Sequence, residues 1–125
     1  MYTVAVRRDF SAQHALIGGD WGAENEPHVH HYRVEACCHG KQLDRHGYLI
    51  DICEVEARID HLVDYFRDSD LNRLPEFEGL NPSIEHFARI WCRELGKSMN
   101  TAALTALSVK IWENEVAWAE YREAF

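Results

Sequence analysis

Three histidines in two short segments of this chain could bind one metal ion. His14 ends the segment FSAQH (residues 10–14), and His28 and His30 belong to the segment HVHHY (residues 28–32). If the second segment opens a β-strand, His28 and His30 lie on one face of it, and His14 can supply a third ligand. Three neutral imidazoles would leave one tetrahedral position of a Zn²⁺ open for water or substrate, as in catalytic zinc sites. The alternative is a set of ordinary surface histidines, because the chain has eight and the His-x-His spacing is common by chance.

The composition limits the classes of function that fit. A length of 125 residues with 46% apolar content predicts a single domain over residues 1–125. The chain has 21 acidic and 13 basic residues, a formal net charge of -8, so it lacks the basic surface of a protein that binds nucleic acid or an anionic membrane. No apolar run is long enough for a signal peptide or a membrane span. We therefore expect a cytoplasmic protein that has no nucleic acid or membrane as partner.

The four cysteines do not form a motif. None of them are spaced as Cys-x-x-Cys, and the adjacent Cys37 and Cys38 lie in a strand-like run that points them to opposite faces. We expect all four to be reduced and packed, because no local signature supports a nucleophile or a metal ligand among them.

Rough alternation of apolar and polar residues predicts two strands in the first third of the chain, over residues 2–10 and 31–39. Between them, residues 18–27 are polar and rich in glycine, which is typical of an irregular loop. This loop ends directly at the histidine pair, so it can carry functional groups over the predicted metal site.

Two amphipathic helices follow. Asp51 can cap a helix over residues 52–66, where the apolar residues recur with the helical period. The segment that starts with Pro82 predicts a second helix that ends near Gly96.

The end of the chain predicts a hairpin and completes the fold class. Residues 106–113 alternate clearly, and residues 116–121 can return beside them after a turn at Asn114 and Glu115. The order β-β-α-α-β-β predicts an α+β fold, an antiparallel four-stranded sheet with two helices on one face. Because such a sheet has two free edges and an uncovered face, we expect a homo-oligomer in which sheets pair into a barrel.

Five segments along the chain resemble the 6-pyruvoyltetrahydropterin synthase and 6-carboxytetrahydropterin synthase family. FSAQH (10–14) is similar to the first zinc segment, and HVHHY (28–32) resembles His-Gly-His-Asn-Tyr with Val for Gly and His for Asn. GYLID (47–51) resembles the entry to the first helix, PSIEH (82–86) the start of the second, and VKIWE (109–113) the penultimate strand. The resemblance covers the whole chain.

The resemblance implies a fold, an assembly and a metal. The family has the tunnelling fold, in which trimers close a barrel of strands, two trimers form a hexamer, and the active sites lie at subunit interfaces. It also implies Zn²⁺ on His14, His28 and His30.

The resemblance further implies a small pterin ligand and residues that bind it. Glu113 matches the family's pterin-anchoring glutamate, and a carboxylate can accept two parallel hydrogen bonds from the 2-amino and N3-H edge of a pterin. Ser83 and Glu85 match positions that line the pterin pocket. The alternatives are an N-cap for Ser83, a helix-dipole partner for Glu85 and a solvated residue beside a turn for Glu113.

Two departures from the family pattern bear on catalysis, and the first concerns the base. Family members use a cysteine just before the zinc pair as the proton-transferring group, and Glu24 holds that position here. A sub-group with glutamate at this place cleaves the side chain to 6-hydroxymethyl-dihydropterin, so the resemblance makes Glu24 the candidate catalytic residue. Glu26 competes for this role, since a carboxylate within hydrogen-bond reach can act as general base. The alternative is a solvated acidic loop.

The second departure concerns the family's Asp-His proton relay. Its positions hold Arg67 and Asp68, and neither side chain restores the relay, because Arg stays charged and Asp is normally ionised. Arg67 could hold a phosphate or carboxylate, or be a cation that favours the dipole at a helix end. The candidates to replace the relay are His31, His61 and Asp70.

Two functions follow from these residues. The first is a zinc-dependent pterin lyase that acts on 7,8-dihydroneopterin triphosphate or a close pterin, with Glu24 in place of the cysteine. The second is a pterin-binding homologue that has lost the synthase reaction and has another substrate or role. A structural oligomer with a vestigial site is the third alternative, and it predicts neither zinc nor ligand.

Overall fold

Two long strands lead into two helices and a terminal hairpin in the computed structural model, which describes residues 1–125. The helices and strands are β1 (Tyr2–His14), β2 (His28–Gly40), α1 (Ile52–Phe66), α2 (Ile84–Ser98), β3 (Ala106–Trp112) and β4 (Trp118–Ala124). The strands form one antiparallel sheet in the order β1-β2-β3-β4. The predicted β-β-α-α-β-β order and α+β fold class are confirmed.

The first two strands are longer than the alternation predicts, by four residues in β1 and by three residues at the start of β2. Pairing continues without interruption from Tyr2 opposite Gly40 to His14 opposite His28. The end of β1 keeps the period of two, because Ala12 and His14 are buried while Gln13 between them is exposed. The sequence pattern misses this extension because the buried positions there are small or polar.

Both helices cover the same face of the sheet, α1 against β1 and α2 against β3 and β4. The core between them contains a cluster of aromatic rings 5.0–6.0 Å apart, formed by Phe10, Tyr32, Phe66, Phe77, Phe87 and Trp91. All of these rings are buried. The three histidines of the predicted metal site lie at one end of this same face.

Side-chain caps define where the helices begin. Asp51 accepts a hydrogen bond from the Cys53 amide at 2.9 Å, and α1 covers the predicted range. Ser83 caps α2 by accepting from the amide of His86 at 3.1 Å. The second helix continues two residues beyond Gly96, where the prediction ends it.

The terminal hairpin has a wider turn than predicted. The Asn114 side chain accepts hydrogen bonds from the amides of Val116 and Ala117, both at 2.9 Å, so these residues belong to the turn. Consequently β3 ends at Trp112 and β4 begins at Trp118.

The face of the sheet away from the helices is polar. Ion pairs between neighbouring strands lie on it, Arg7 with Glu35 and Arg33 with Asp9, both at 2.9 Å. The outer edge of β4 has no strand beside it. An open edge and an uncovered face are the features on which the barrel prediction depends.

All four cysteines are free thiols. Cys38 is opposite Val4 on the helix side, and Cys37 is opposite Ala5 on the other side. Burial raises the pKa of Cys37, Cys38 and Cys92 to about 11, so these thiols are poor nucleophiles at neutral pH.

None of the helices combines the length and the hydropathy that crossing a membrane requires.

We expect the aromatic cluster to carry a large part of the stability. Phe66→Ala should lower the free energy of unfolding by about 3–5 kcal/mol, because it removes a fully buried ring and leaves a cavity. The neighbouring Tyr65→Ala is the matched control and should cost about 1 kcal/mol or less, since Tyr65 is exposed. Urea unfolding at one fixed protein concentration measures both. Equal losses in the two variants would contradict the assigned core.

Candidate metal centre and ligand site

The structure brings the three predicted histidines together at the end of the β1-β2 ladder. His14 is opposite His28, and His30 is opposite Ala12, so all three side chains are on the helix side. One ring nitrogen of each histidine lies within 4.8 Å of the other two. This set of three imidazole nitrogens suits Zn²⁺ and leaves a fourth position free.

Main-chain carbonyl groups hold two of the three rings. Nδ1 of His28 donates to the Glu26 carbonyl at 2.9 Å, and Nε2 of His30 donates to the Glu113 carbonyl at 3.1 Å. Such outer contacts fix the orientation of metal-binding imidazoles. Nε2 of His28 is 2.9 Å from Nε2 of His14, so these two nitrogens face the same point.

His14 is the most buried of the three histidines. It is 7% exposed, and its Nδ1 is 2.6 Å from the hydroxyl of the fully buried Tyr32. Burial lowers the pKa of His14 to about 4, with further lowering from His28 and His30 and a small opposing effect of Asp70. The ring is therefore neutral at neutral pH, which is the form that binds a metal. Burial also raises the pKa of Tyr32, and the charge of Glu113 adds to this.

Glu113 connects the histidines to a cleft of about 270 Å³. Its amide donates to the Ala117 carbonyl at 3.0 Å, which holds the residue in the hairpin turn. The lining of the cleft consists of His31, Arg33, Trp112, Glu113, Asn114 and Glu115. The same residue therefore binds His30 through its backbone and borders the cleft.

Arg33 and Trp112 line the cleft beside Glu113, and none of the sequence motifs points to them. The signal that could have found Arg33 is the period of two in β2, because His31 and Arg33 share the face opposite His28 and His30. The neighbouring position of Trp112 on β3 depends on the register with β2, which pairs Arg33 with Trp112.

Glu24 lies on an ordered loop before the histidine pair. It belongs to the short 3-10 helix Gly22–Asn25, and its carbonyl accepts from the Leu16 amide at 2.9 Å. The Asn25 side chain donates to the carbonyls of Leu16 and Gly19, which closes this loop. The Glu24 side chain is exposed and has no hydrogen-bond partner within the chain, so its carboxylate is available.

Ser83 and Glu85 lie at the start of α2, outside the group of three histidines. The Ser83 hydroxyl caps the helix, which is the alternative that the sequence analysis left open. Glu85 is exposed in the first turn and makes no ion pair in the chain. Asn81, just before them, accepts from the Ile17 amide at 2.8 Å and ties this end of α2 to the loop after β1.

The positions of the family's Asp-His pair lie at the end of α1. Arg67 is the C-cap of the helix and its guanidinium pairs with Asp64, in line with a helix-end cation. Asp68 has a positive φ of 57°, and its amide donates to the Ser11 carbonyl at 2.8 Å. Neither contact reaches the histidines.

Among the three candidates to replace the relay, Asp70 is the one whose charge acts on the metal site. It raises the pKa of His14, and its backbone forms a bridge with Gln13. His31 is on the opposite face of the sheet, 3.4 Å from the Ser11 hydroxyl, and His61 is exposed on α1.

Comparisons with known proteins show the family and the fold of the chain. A family profile described as 6-pyruvoyl tetrahydropterin synthase matches residues 3–124. The 6-pyruvoyl tetrahydropterin synthase of Caenorhabditis elegans is similar with a TM-score of 0.79 and 22% identity, over 99% of this chain and 98% of that chain. A variant of the Plasmodium vivax 6-pyruvoyltetrahydropterin synthase is similar with a TM-score of 0.83 and 12% identity, over 99% of this chain and 98% of that chain.

An uncharacterized protein of Wolinella succinogenes is also similar, with a TM-score of 0.74 and 15% identity over 96% of this chain and 97% of that one. No curated protein matches the sequence significantly. The structural matches confirm the predicted tunnelling fold.

Because the pKa of His14 is lowered, we expect the stability of the metal-free protein to depend on pH. An unfolded histidine titrates near 6.5 and the folded one near 4, so protonation favours the unfolded state. The stability contributed by neutral His14 should be present above pH 6.5 and be lost as the pH falls towards about 4. We expect urea midpoints of the wild type to decrease more over this window than those of His14→Asn. Parallel pH profiles of the two proteins would contradict the assignment.

Proposed function

Because this chain belongs to the 6-pyruvoyl tetrahydropterin synthase family, we propose that it is a zinc-dependent pterin lyase that acts on 7,8-dihydroneopterin triphosphate or a close pterin. The observation that supports this best is the convergence of three imidazoles next to Glu113. A metal site and a carboxylate for ring recognition are the two parts that such a reaction requires.

His14, His28 and His30 would hold the zinc ion. When bound, Zn²⁺ supplies Lewis acidity that makes side-chain hydroxyl groups of the substrate more acidic. The protein supports this by keeping His14 neutral through burial and by orienting His28 and His30 through carbonyl groups.

Glu24 would accept and return the proton. Its carboxylate is exposed on the loop whose end, the Glu26 carbonyl, holds His28, so the loop and the metal site are linked. A catalytic glutamate has a parallel in the Plasmodium vivax protein, since that structure is of a variant in which a glutamate described as a catalytic residue is replaced by alanine. Glu26 is the competing candidate, because its side chain is exposed on the same loop.

The carboxylate of Glu113 would bind the 2-amino and N3-H edge of the pterin ring by two parallel hydrogen bonds. Ser83 and Glu85 would complete the pterin pocket when subunits assemble. We propose a cytoplasmic hexamer of two trimers, in which open sheet edges pair between subunits.

A second candidate function rests on the positions of the missing relay. Arg67 is engaged with Asp64, and Asp68 is held by its backbone against Ser11. A family member without this relay could bind a pterin and serve another substrate or role. Such a protein would still bind a metal ion and a pterin ring, but it would not catalyse the synthase reaction.

The lyase proposal predicts metal and product together. Purified protein should contain about one zinc per chain, and incubation with 7,8-dihydroneopterin triphosphate should release a new pterin. Mass spectrometry would identify this product as the 6-carboxy, 6-pyruvoyl or 6-hydroxymethyl compound. Zinc-loaded protein that forms none of the three would exclude the lyase and favour the second candidate.

Glu24 can be tested by removing its charge alone. Glu24→Gln should lower turnover by about 100-fold or more, because general acid-base catalysis typically contributes this much, while zinc content stays unchanged. Glu26→Gln is the matched control, with the same substitution on the same loop, and should retain activity. If the control loses turnover and Glu24→Gln does not, the base is Glu26.

A further inference from the structure

The backbone of residues 15–17, directly after β1, is held by three side chains from different parts of the chain. All three are asparagines, and they bond three successive residues: Asn72 bonds Ala15, Asn25 bonds Leu16 and Asn81 bonds Ile17. Asparagine suits this task because its amide group can both donate and accept, like a peptide group. A segment outside the sheet is thereby fixed to the loop before β2, the loop after α1 and the start of α2.

Asn25 holds the loop that carries Glu24. Its side chain donates to the carbonyls of Leu16 and Gly19, both at 3.0 Å, and accepts from the Trp21 amide at 2.8 Å. Because two acceptors and one donor surround this side chain, only one orientation of its amide group fits all three contacts. The three bonds close the loop on itself and attach it to the segment after β1.

Backbone bonds fix Glu24 beside Asn25, while its carboxylate stays free. The Glu24 carbonyl accepts from the Leu16 amide at 2.9 Å, and the Glu24 amide donates to the Trp21 carbonyl at 3.3 Å. Leu16 is therefore bonded through its amide to Glu24 and through its carbonyl to Asn25. Since Leu16 lies two residues after His14, the place of Glu24 relative to the histidines depends on this pair of bonds.

We propose that Asn25 is the positioning residue for Glu24, because it holds the loop of the proton-transferring carboxylate against the segment that follows His14. A general base needs hydrogen-bond reach to the substrate, and a misplacement of about 1 Å can lower turnover by about 100-fold. The other two asparagines support Asn25, since they fix the residues on either side of Leu16. This inference rests on the proposed function, in which Glu24 moves the proton.

The first test replaces one NH₂ group by oxygen and keeps the size of the side chain. Asn25→Asp can still accept from the Trp21 amide, but it faces two carbonyls without a donor. We expect kcat for 7,8-dihydroneopterin triphosphate to fall by about 10- to 100-fold, with KM and zinc content unchanged. Asn100→Asp is the matched control, because Asn100 bonds only as an acceptor, from the Ala102 amide at 3.1 Å. It should keep the wild-type kcat.

A cycle of variants tests whether Asn25 acts through Glu24. Adding Asn25→Asp to Glu24→Gln should slow turnover no further, since the carboxylate to be positioned is already gone. A purely structural Asn25 would slow Glu24→Gln by the same factor as it slows the wild type. That result, or a wild-type kcat in Asn25→Asp, would overturn the proposal.

Amide hydrogen exchange tests the same bonds without any reaction. In the wild type, the bonded amides of Leu16 and Trp21 should exchange at least about 10-fold more slowly than the amide of Ala23 on the same loop. In Asn25→Asp this protection should be lost, while amides of the β1-β2 ladder exchange as in the wild type. Unprotected amides in the wild type, or protection that survives the substitution, would overturn the proposal.

The outcomes separate this inference from the reaction on which it rests. Wild-type protein that forms no pterin product would refute the proposed function and, with it, the role of Asn25 in turnover. A pterin product that forms at the same rate in the wild type and in Asn25→Asp would refute this inference alone.

Discussion

The antiparallel pairing of β1 with β2 is the interaction on which the rest of the structure depends. Thirteen residue pairs fix the register, and the last pair places His14 opposite His28. A shift of one residue would turn every side chain of one strand to the other face and separate the histidines. The apolar part of the ladder prevents this shift, because Phe10 and Tyr32 must face the helices to be buried. The hydrophobic core therefore determines the geometry of a polar site at its end.

Tyr32 shows how core and site are joined. Its ring belongs to the aromatic cluster, and its hydroxyl contacts His14, so the same residue contributes to packing and holds the His14 ring. Because the aromatic packing excludes water, it favours the neutral form of His14, whose pKa is lowered to about 4. An unpartnered imidazole would be costly at this depth. The hydroxyl of Tyr32 and the ring of His28 remove that cost.

The periodicity of the sequence predicts the helices, the element order and the grouping of His14, His28 and His30, because each depends on which residues share a face. It does not predict the strand ends, since burial continues there through small or polar residues such as Ala12. The hairpin turn is wider than predicted because of two hydrogen bonds to Asn114, and the bond of His30 to the Glu113 carbonyl depends on the register of β2 with β3. Contacts of this kind are set by the three-dimensional arrangement and leave no pattern along the chain.

The loop after α1 explains how the relay positions can differ while the histidines stay in place. This loop attaches to the edge of β1 through backbone bonds, from Asp68 to the Ser11 carbonyl at 2.8 Å and from Gln13 to the Ser69 carbonyl at 2.7 Å. These bonds use no side chain, and aspartate is one of the residues that tolerate the positive φ of Asp68, so arginine and aspartate can occupy these positions without moving β1 or His14. The side chains at these two positions therefore do not determine the placement of the three histidines. The residues at these positions can therefore differ between proteins of this fold while the three histidines keep their arrangement.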